Sequence, residues 1–186
     1  MKRAVLTVAL LLTLAALPAG ASTFVAMSDA ELVAQSDAIV IGEVLETFSY
    51  WNESKSMIFT EAVIHVHDVV AGDAPALLNV RTPGGTVGSY RVEAHGFPAF
   101  GQGQRQLLFV HRGQADSLEV TGFQQGQYRI ERRRDGVRMA VPALSGVQLL
   151  TRSGVPAPRP EARPLEDLVR SIRSIEQRVQ RGPVVK

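Results

Sequence analysis

The sequence predicts a mostly β protein, a small antiparallel barrel or sandwich with a short N-terminal helix and an amphipathic C-terminal helix. Three observations lead there. Short runs rich in β-branched and apolar residues recur from Ala38 to Val141, with turn signals about every ten residues. Ser28-Asp29-Ala30-Glu31 has the spacing of a helix capping box. Leu165, Leu168, Ile172, Ile175 and Val179 fall at spacings of three and four, the period of one helix face.

The first 21 residues have the layout of a secretory signal peptide. Lys2 and Arg3 precede an apolar run from Ala4 to Leu17, followed by Pro18 and the small residues Ala19, Gly20 and Ala21. The A-x-A pattern predicts cleavage before Ser22. A 14-residue apolar run is shorter than the roughly 20 residues that span a bilayer, so no stable membrane anchor is expected after cleavage. No cysteine follows the run to carry a lipid. The expected location is the bacterial periplasm or the exterior. The remaining 22–186 is long enough to bury a core without staples, and with no cysteine it has none.

Removing Lys2 and Arg3 leaves 18 basic and 18 acidic residues, unevenly spread. Residues 22–99 carry 3 basic and 10 acidic side chains and residues 100–186 carry 15 and 8, so a −7 half precedes a +7 half. Once folded, the halves should attract each other or present opposite faces. Arg132, Arg133 and Arg134 precede Asp135-Gly136 and read as a solvated hairpin end. No aromatic residues interleave them, so no nucleic-acid partner is expected.

After the capping box a helix should run to about Gln35. Ala38 to Phe48 reads as a strand whose first half is apolar on both faces, which suggests a helical cover outside. Gly42 marks a bend or bulge in it. Tyr50 to Ser56 reads as a polar turn, and Met57 to Val70 returns as the second arm of a hairpin. Ala71 to Pro75 breaks the chain, Leu77 to Thr82 is a third strand, and Pro83-Gly84-Gly85 opens a glycine turn ending near Gly88. Arg105 to His111 has the apolar centre of a core strand. Shorter strands are expected at Leu118 to Thr121, Gln127 to Arg132 and Val137 to Val141, the last two joined at Asp135-Gly136. A barrel domain then spans 22–152. Residues 153–164, with four prolines, form a stiff extended linker, and a helix over 165–180 ends at Gly182-Pro183.

Catalytic signatures are absent: there is no G-x-S-x-G, no H-E-x-x-H, no phosphate-binding G-x-x-x-x-G-K-[ST] and no thiol. His65 and His67 share one strand face with Glu61, because side chains alternate with period two, and two imidazoles so placed can share a metal ion if a third ligand approaches. Ile58, Ala62, Ile64 and Val66 form the opposite, core face. His95 in a loop and His111 at a strand end are the other histidines. Gly84, Gly85 and Gly88 lack a following helix to aim amides at an anion and fit a hairpin turn instead. Tyr50 and Trp51 near a hairpin tip either anchor a protein partner or fold back onto the barrel.

From Ser36 to about His111 the order of elements resembles the OB-fold barrel of the netrin-like family, which includes the tissue inhibitors of metalloproteinases. The resemblance is carried by Ser36-Asp37-Ala38-Ile39-Val40-Ile41-Gly42-Glu43-Val44, by Thr60 to Val70 followed by Ala71-Gly72, by Leu78-Asn79-Val80-Arg81-Thr82, and by Phe100-Gly101-Gln102-Gly103 leading into Gln106-Leu107-Leu108-Phe109-Val110. It implies an OB-like barrel and, for function, binding to a protease. The family's inhibitory device, an N-terminal cysteine that chelates the protease zinc, has no counterpart at Ser22-Thr23-Phe24.

The functional expectation is an exported, non-catalytic protein-binding module without a cofactor, its partner another exported protein. An inhibitor or accessory factor of a secreted protease is the concrete form. The alternative is a metal-dependent enzyme or metal carrier using His65 and His67. A third reading, oligosaccharide or nucleic acid held across the barrel, requires exposed aromatics that a 6% aromatic content disfavours.

Overall fold

The computed structural model describes residues 22–113 and 117–181. The expected leader and Gly182-Pro183 lie outside the described residues. In chain order the elements are β1 (Ser22–Val25), α1 (Asp29–Ala34), β2 (Ala38–Trp51), β3 (Ile58–Gly72), β4 (Leu77–Pro83), β5 (Gly85–Val87), β6 (Tyr90–Val92), β7 (Arg105–Arg112), β8 (Leu118–Val120), a 3-10 turn (Phe123–Gly126), β9 (Gln127–Arg132), β10 (Arg138–Pro142), β11 (Val147–Leu150), β12 (Arg163–Pro164) and α2 (Leu165–Arg181).

The main sheet runs β12-β10-β9-β7-β2-β3-β4-β8, and a β7–β8 pairing closes β7-β2-β3-β4-β8 into a five-stranded OB-like barrel. All but one of the contacts around that ring are antiparallel. The exception is β4 with β8, which meet in parallel at Val80 and Leu118. The long hairpin β2–β3 is its spine, paired from Ala38 with Gly72 to Trp51 with Ile58, and interrupted by register shifts at Ile39/Val40, Ile41/Gly42 and Val44/Glu46. These bulges coil the hairpin around the barrel. Gly42 sits at one because a Cβ there would stand 2.5 Å from Ile64 Cγ2 and 2.7 Å from the His65 carbonyl oxygen.

Two cores explain the strands that are apolar on both faces. Ala38, Val40, Ala62, Ile64, Val80, Leu108 and Val110 fill the barrel. Ile39, Leu107, Phe109 and Tyr128 point outward instead, into a second core covered by Leu32 and Val33 of α1 and by Leu165, Leu168, Ile172 and Ile175 of α2. The cover that β2 demands is therefore supplied by both helices. The C-terminal helix packs back on the sheet, and only Val179 of its apolar stripe is left exposed. Helix α1 starts at the expected box: the Ser28 hydroxyl accepts from the Glu31 amide at 3.2 Å, and the Ser28 amide donates to Glu31 Oε2 at 2.8 Å.

Several boundaries differ from expectation. Tyr50 and Trp51 belong to β2, because pairing with Phe59 and Ile58 outweighs their polar surroundings. The turn is confined to 52–57, where Asn52 Oδ1 accepts from the amides of Ser56 and Met57. The glycine turn at 84–88 is a separate small hairpin, β5–β6. The proline-rich 153–164 is extended but strapped down. The Ala157 amide donates to the Leu149 carbonyl at 2.8 Å, and Arg163–Pro164 pairs with β10 at the sheet edge, where a ladder tolerates a proline. The parallel pair β1–β11, with Ser22 opposite Val147 and Val25 opposite Leu150, has too little sequence pattern to be foreseen.

The opposite charges of the two halves meet as expected. Asp29 pairs with Arg163 at 2.7 Å, Glu43 with Arg105 at 3.0 Å and Asp68 with Arg173 at 3.6 Å, while Glu31 meets Arg152. Arg132 to Arg134 occupy an exposed hairpin end, with Arg133 paired to Asp135.

Candidate functional site

Strand alternation sorts the far end of the β2–β3 hairpin into two faces. On one, Phe48, Tyr50 and Phe59 form a row of rings with centroids 6.2 Å and 6.5 Å apart. Tyr50 lies opposite Phe59, and Phe48 opposite Glu61. The Tyr50 hydroxyl donates to Glu61 Oε1 at 3.2 Å. Partial burial, followed by the negative charge of Glu61, pushes the phenol above its ordinary value, so it remains a donor. Arg81, opposite Glu61 on β4, sets its guanidinium 4.9 Å from the Phe59 ring centre and donates to Glu119 Oε1 at 3.0 Å.

On the other face, Trp51 meets Tyr90 of β6 edge to face at 5.5 Å. The β5–β6 hairpin lies close enough here that a Cβ on Gly85, at φ +131°, would stand 2.3 Å from the hydroxyl oxygens of Ser49 and Thr60. Gly84 and Gly88 also have positive φ, as a turn requires.

Tyr50 and Trp51 are therefore half-buried against the sheet. Their neighbours carry the exposure: Phe48 is 47% exposed, Met57 44% and Tyr90 64%. No local sequence pattern singles out Phe48, Phe59, Tyr90 or Arg81 as surface groups. The spacing of Phe48 and Tyr50 was visible as an i, i+2 pair, but their joining to Phe59 and Arg81 depends on the register of three strands.

His65 and His67 project from the outer face of β3, both exposed, with ring centroids 4.8 Å apart and planes at 72°. Glu61 does not stand with them. It lies four residues back along the strand, roughly 13 Å at the usual rise, and is bonded to Tyr50. The carboxylate beside the imidazoles is Glu43, opposite His65, whose Oε2 is 3.8 Å from His67 Nε2 and accepts from Arg105 Nε at 3.0 Å. That arginine bond holds Glu43 below the usual carboxylate range. Among the described residues no three His, Asp or Glu side chains stand where they could together hold a metal ion. His95 is exposed in the loop before β7, and His111 Nδ1 stands 3.4 Å from the Thr121 hydroxyl.

Two clefts flank these groups. One, of about 680 Å³, lies under α2, with Ile41, Leu165 and Val169 as its apolar lining and Arg138, Arg170 and Arg173 among its charged residues. These arginines are paired with Glu166, Asp167 and Asp68. The other, of about 290 Å³, lies among Pro83, Phe97, Pro98 and Phe123, with Arg81, His111, Glu119 and Thr121 also lining it.

No family model matches the chain, and no curated protein or solved structure matches it.

Proposed function

We propose that this chain is an exported, non-catalytic binding module whose partner is another exported protein, in its most concrete form a secreted protease that it inhibits or assists. The observation that carries the reading is the surface at the end of the β2–β3 hairpin. There Phe48 is exposed beside the half-buried Tyr50 and Phe59, with Arg81 over the Phe59 ring, and on the opposite face Tyr90 is exposed against the half-buried Trp51. Exposed and half-buried aromatic side chains with an arginine among them match the composition of interface hot spots. The leader-like residues 1–21 and the netrin-like order of residues from Ser36 to His111 support export and the choice of a protease as partner.

The experiment is affinity capture from the native exported proteins, run in parallel with wild type and a Phe48→Ala, Tyr90→Ala double variant, followed by mass spectrometry. A protein enriched by wild type and at least tenfold less by the variant supports the reading. Equal capture by both, or no enrichment, overturns it. A captured protease is then assayed with and without the chain to decide between inhibition and assistance.

A further inference from the structure

We propose that His65 and His67 form a two-imidazole chelate for a divalent ion of the copper or zinc class on the outer face of the barrel, with water completing the shell and Glu43 turning in as third ligand once Arg105 is displaced from it. Imidazole suits both metals, and metal–nitrogen bonds of about 2.0–2.1 Å at angles between square and tetrahedral place the ring centres roughly 4.5–5.3 Å apart. The two rings already stand 4.8 Å apart. Both imidazoles are exposed on the outward side of β3, His67 being the residue the ladder skips at the Ile41/Gly42 register shift. Glu43 pairs with His65 in the regular stretch between the register shifts at Ile41/Gly42 and Val44/Glu46, and its Oε2 is 3.8 Å from His67 Nε2.

Arg105 occupies Glu43 in the free protein, with its side chain 62% exposed. An ion pair this open is weak, so a metal can displace it. This gives the site a signature that a random histidine pair lacks: removing the competing guanidinium should tighten binding. Glu61, which the spacing along β3 nominates as third ligand, should contribute nothing.

The test is titration of the purified, untagged protein with copper(II) alone and zinc(II) alone, by calorimetry, with electron paramagnetic resonance on the copper form. Expected are one ion per chain, a copper spectrum showing two coupled nitrogens, and at least tenfold weaker binding in His65→Ala and in His67→Ala. Glu43→Gln should bind severalfold more weakly and Arg105→Gln severalfold more tightly, while Glu61→Gln and His95→Ala should match wild type. Unchanged affinity in the His65→Ala, His67→Ala double variant, or a single coupled nitrogen, overturns the chelate. Unchanged affinity in Glu43→Gln removes the carboxylate from it. All of these side chains are exposed or half-exposed, and circular dichroism of each variant separates lost binding from lost fold.

Discussion

The Gln127 side-chain amide donates to Gln106 Oε1 at 2.8 Å, and both residues are only 1% exposed. The same amide donates to the Ala99 carbonyl at 2.8 Å, while Gln106 donates to Gln104 Oε1 at 3.2 Å. A chain of glutamines thus fastens the loop before β7 to the junction of β7 and β9. Replacing Gln127 by leucine leaves the Ala99 carbonyl and Gln106 Oε1 without this donor, at about 1–3 kcal/mol for each group left unpaired. Urea unfolding should show that loss as a lower midpoint at unchanged slope. A shift equivalent to less than about 0.5 kcal/mol would show that the pair is not structural.

Docking of α2 can be tested along its own stripe. Leu168 and Ile172 are fully buried, whereas Val179 is 58% exposed. Leu168→Ala or Ile172→Ala should cost about 2–5 kcal/mol, and Val179→Ala should stay within about 0.5 kcal/mol. Equal, small effects at all three positions would mean that the helix stands free of the barrel in solution.

The six-residue α1 depends on its cap. Ser28→Ala removes the acceptor for the Glu31 amide and should lower stability by about 1 kcal/mol. Amide hydrogen exchange should speed up in α1 and spare the barrel strands. Uniform acceleration throughout would instead mean that α1 opens only with the whole domain.

Acid should weaken the fold. Glu31 is held below the usual carboxylate range first by its bonds to Ser28 and then by Arg152, Glu43 by Arg105, and Glu166 by Arg138. In each case the folded chain prefers the ionised form, so the unfolded chain binds more protons in acid. The stabilisation is complete above the ordinary carboxylate range and disappears as pH falls through the lowered folded values. Thermal midpoints measured from about pH 6 to about pH 3 should fall, and Glu31→Gln should flatten the curve. An unchanged slope in that variant would remove Glu31 from the linkage.

Much of the fold is legible in local pattern. The Ser28–Glu31 box, the double-faced apolar run of Ala38 to Ile41 and the stripe from Leu165 to Ile175 each state their structure through neighbours a few residues apart. Short elements are not legible: β1 and β11 span four residues each, and their parallel pairing joins positions more than 120 residues apart. The candidate site divides in the same way. Alternation alone places His65 and His67 on one outward face, and the aromatics at Tyr50 and Trp51 near a hairpin end.

Local pattern in the chain specifies the β-rich class, the two helices, the opposed charges of the halves and the side of β3 on which the imidazoles stand. All of these follow from periodicity and charge along a continuous segment. Long-range strand pairing settles that the ring of strands closes through β8, that Phe48 and Tyr90 rather than Tyr50 and Trp51 carry the exposure, and that Glu43 rather than Glu61 stands beside the histidines. Those relations depend on strand register, and register here is set by bulges near Gly42 and by packing beneath two helices. A one-residue slip would carry each of these side chains to the other face.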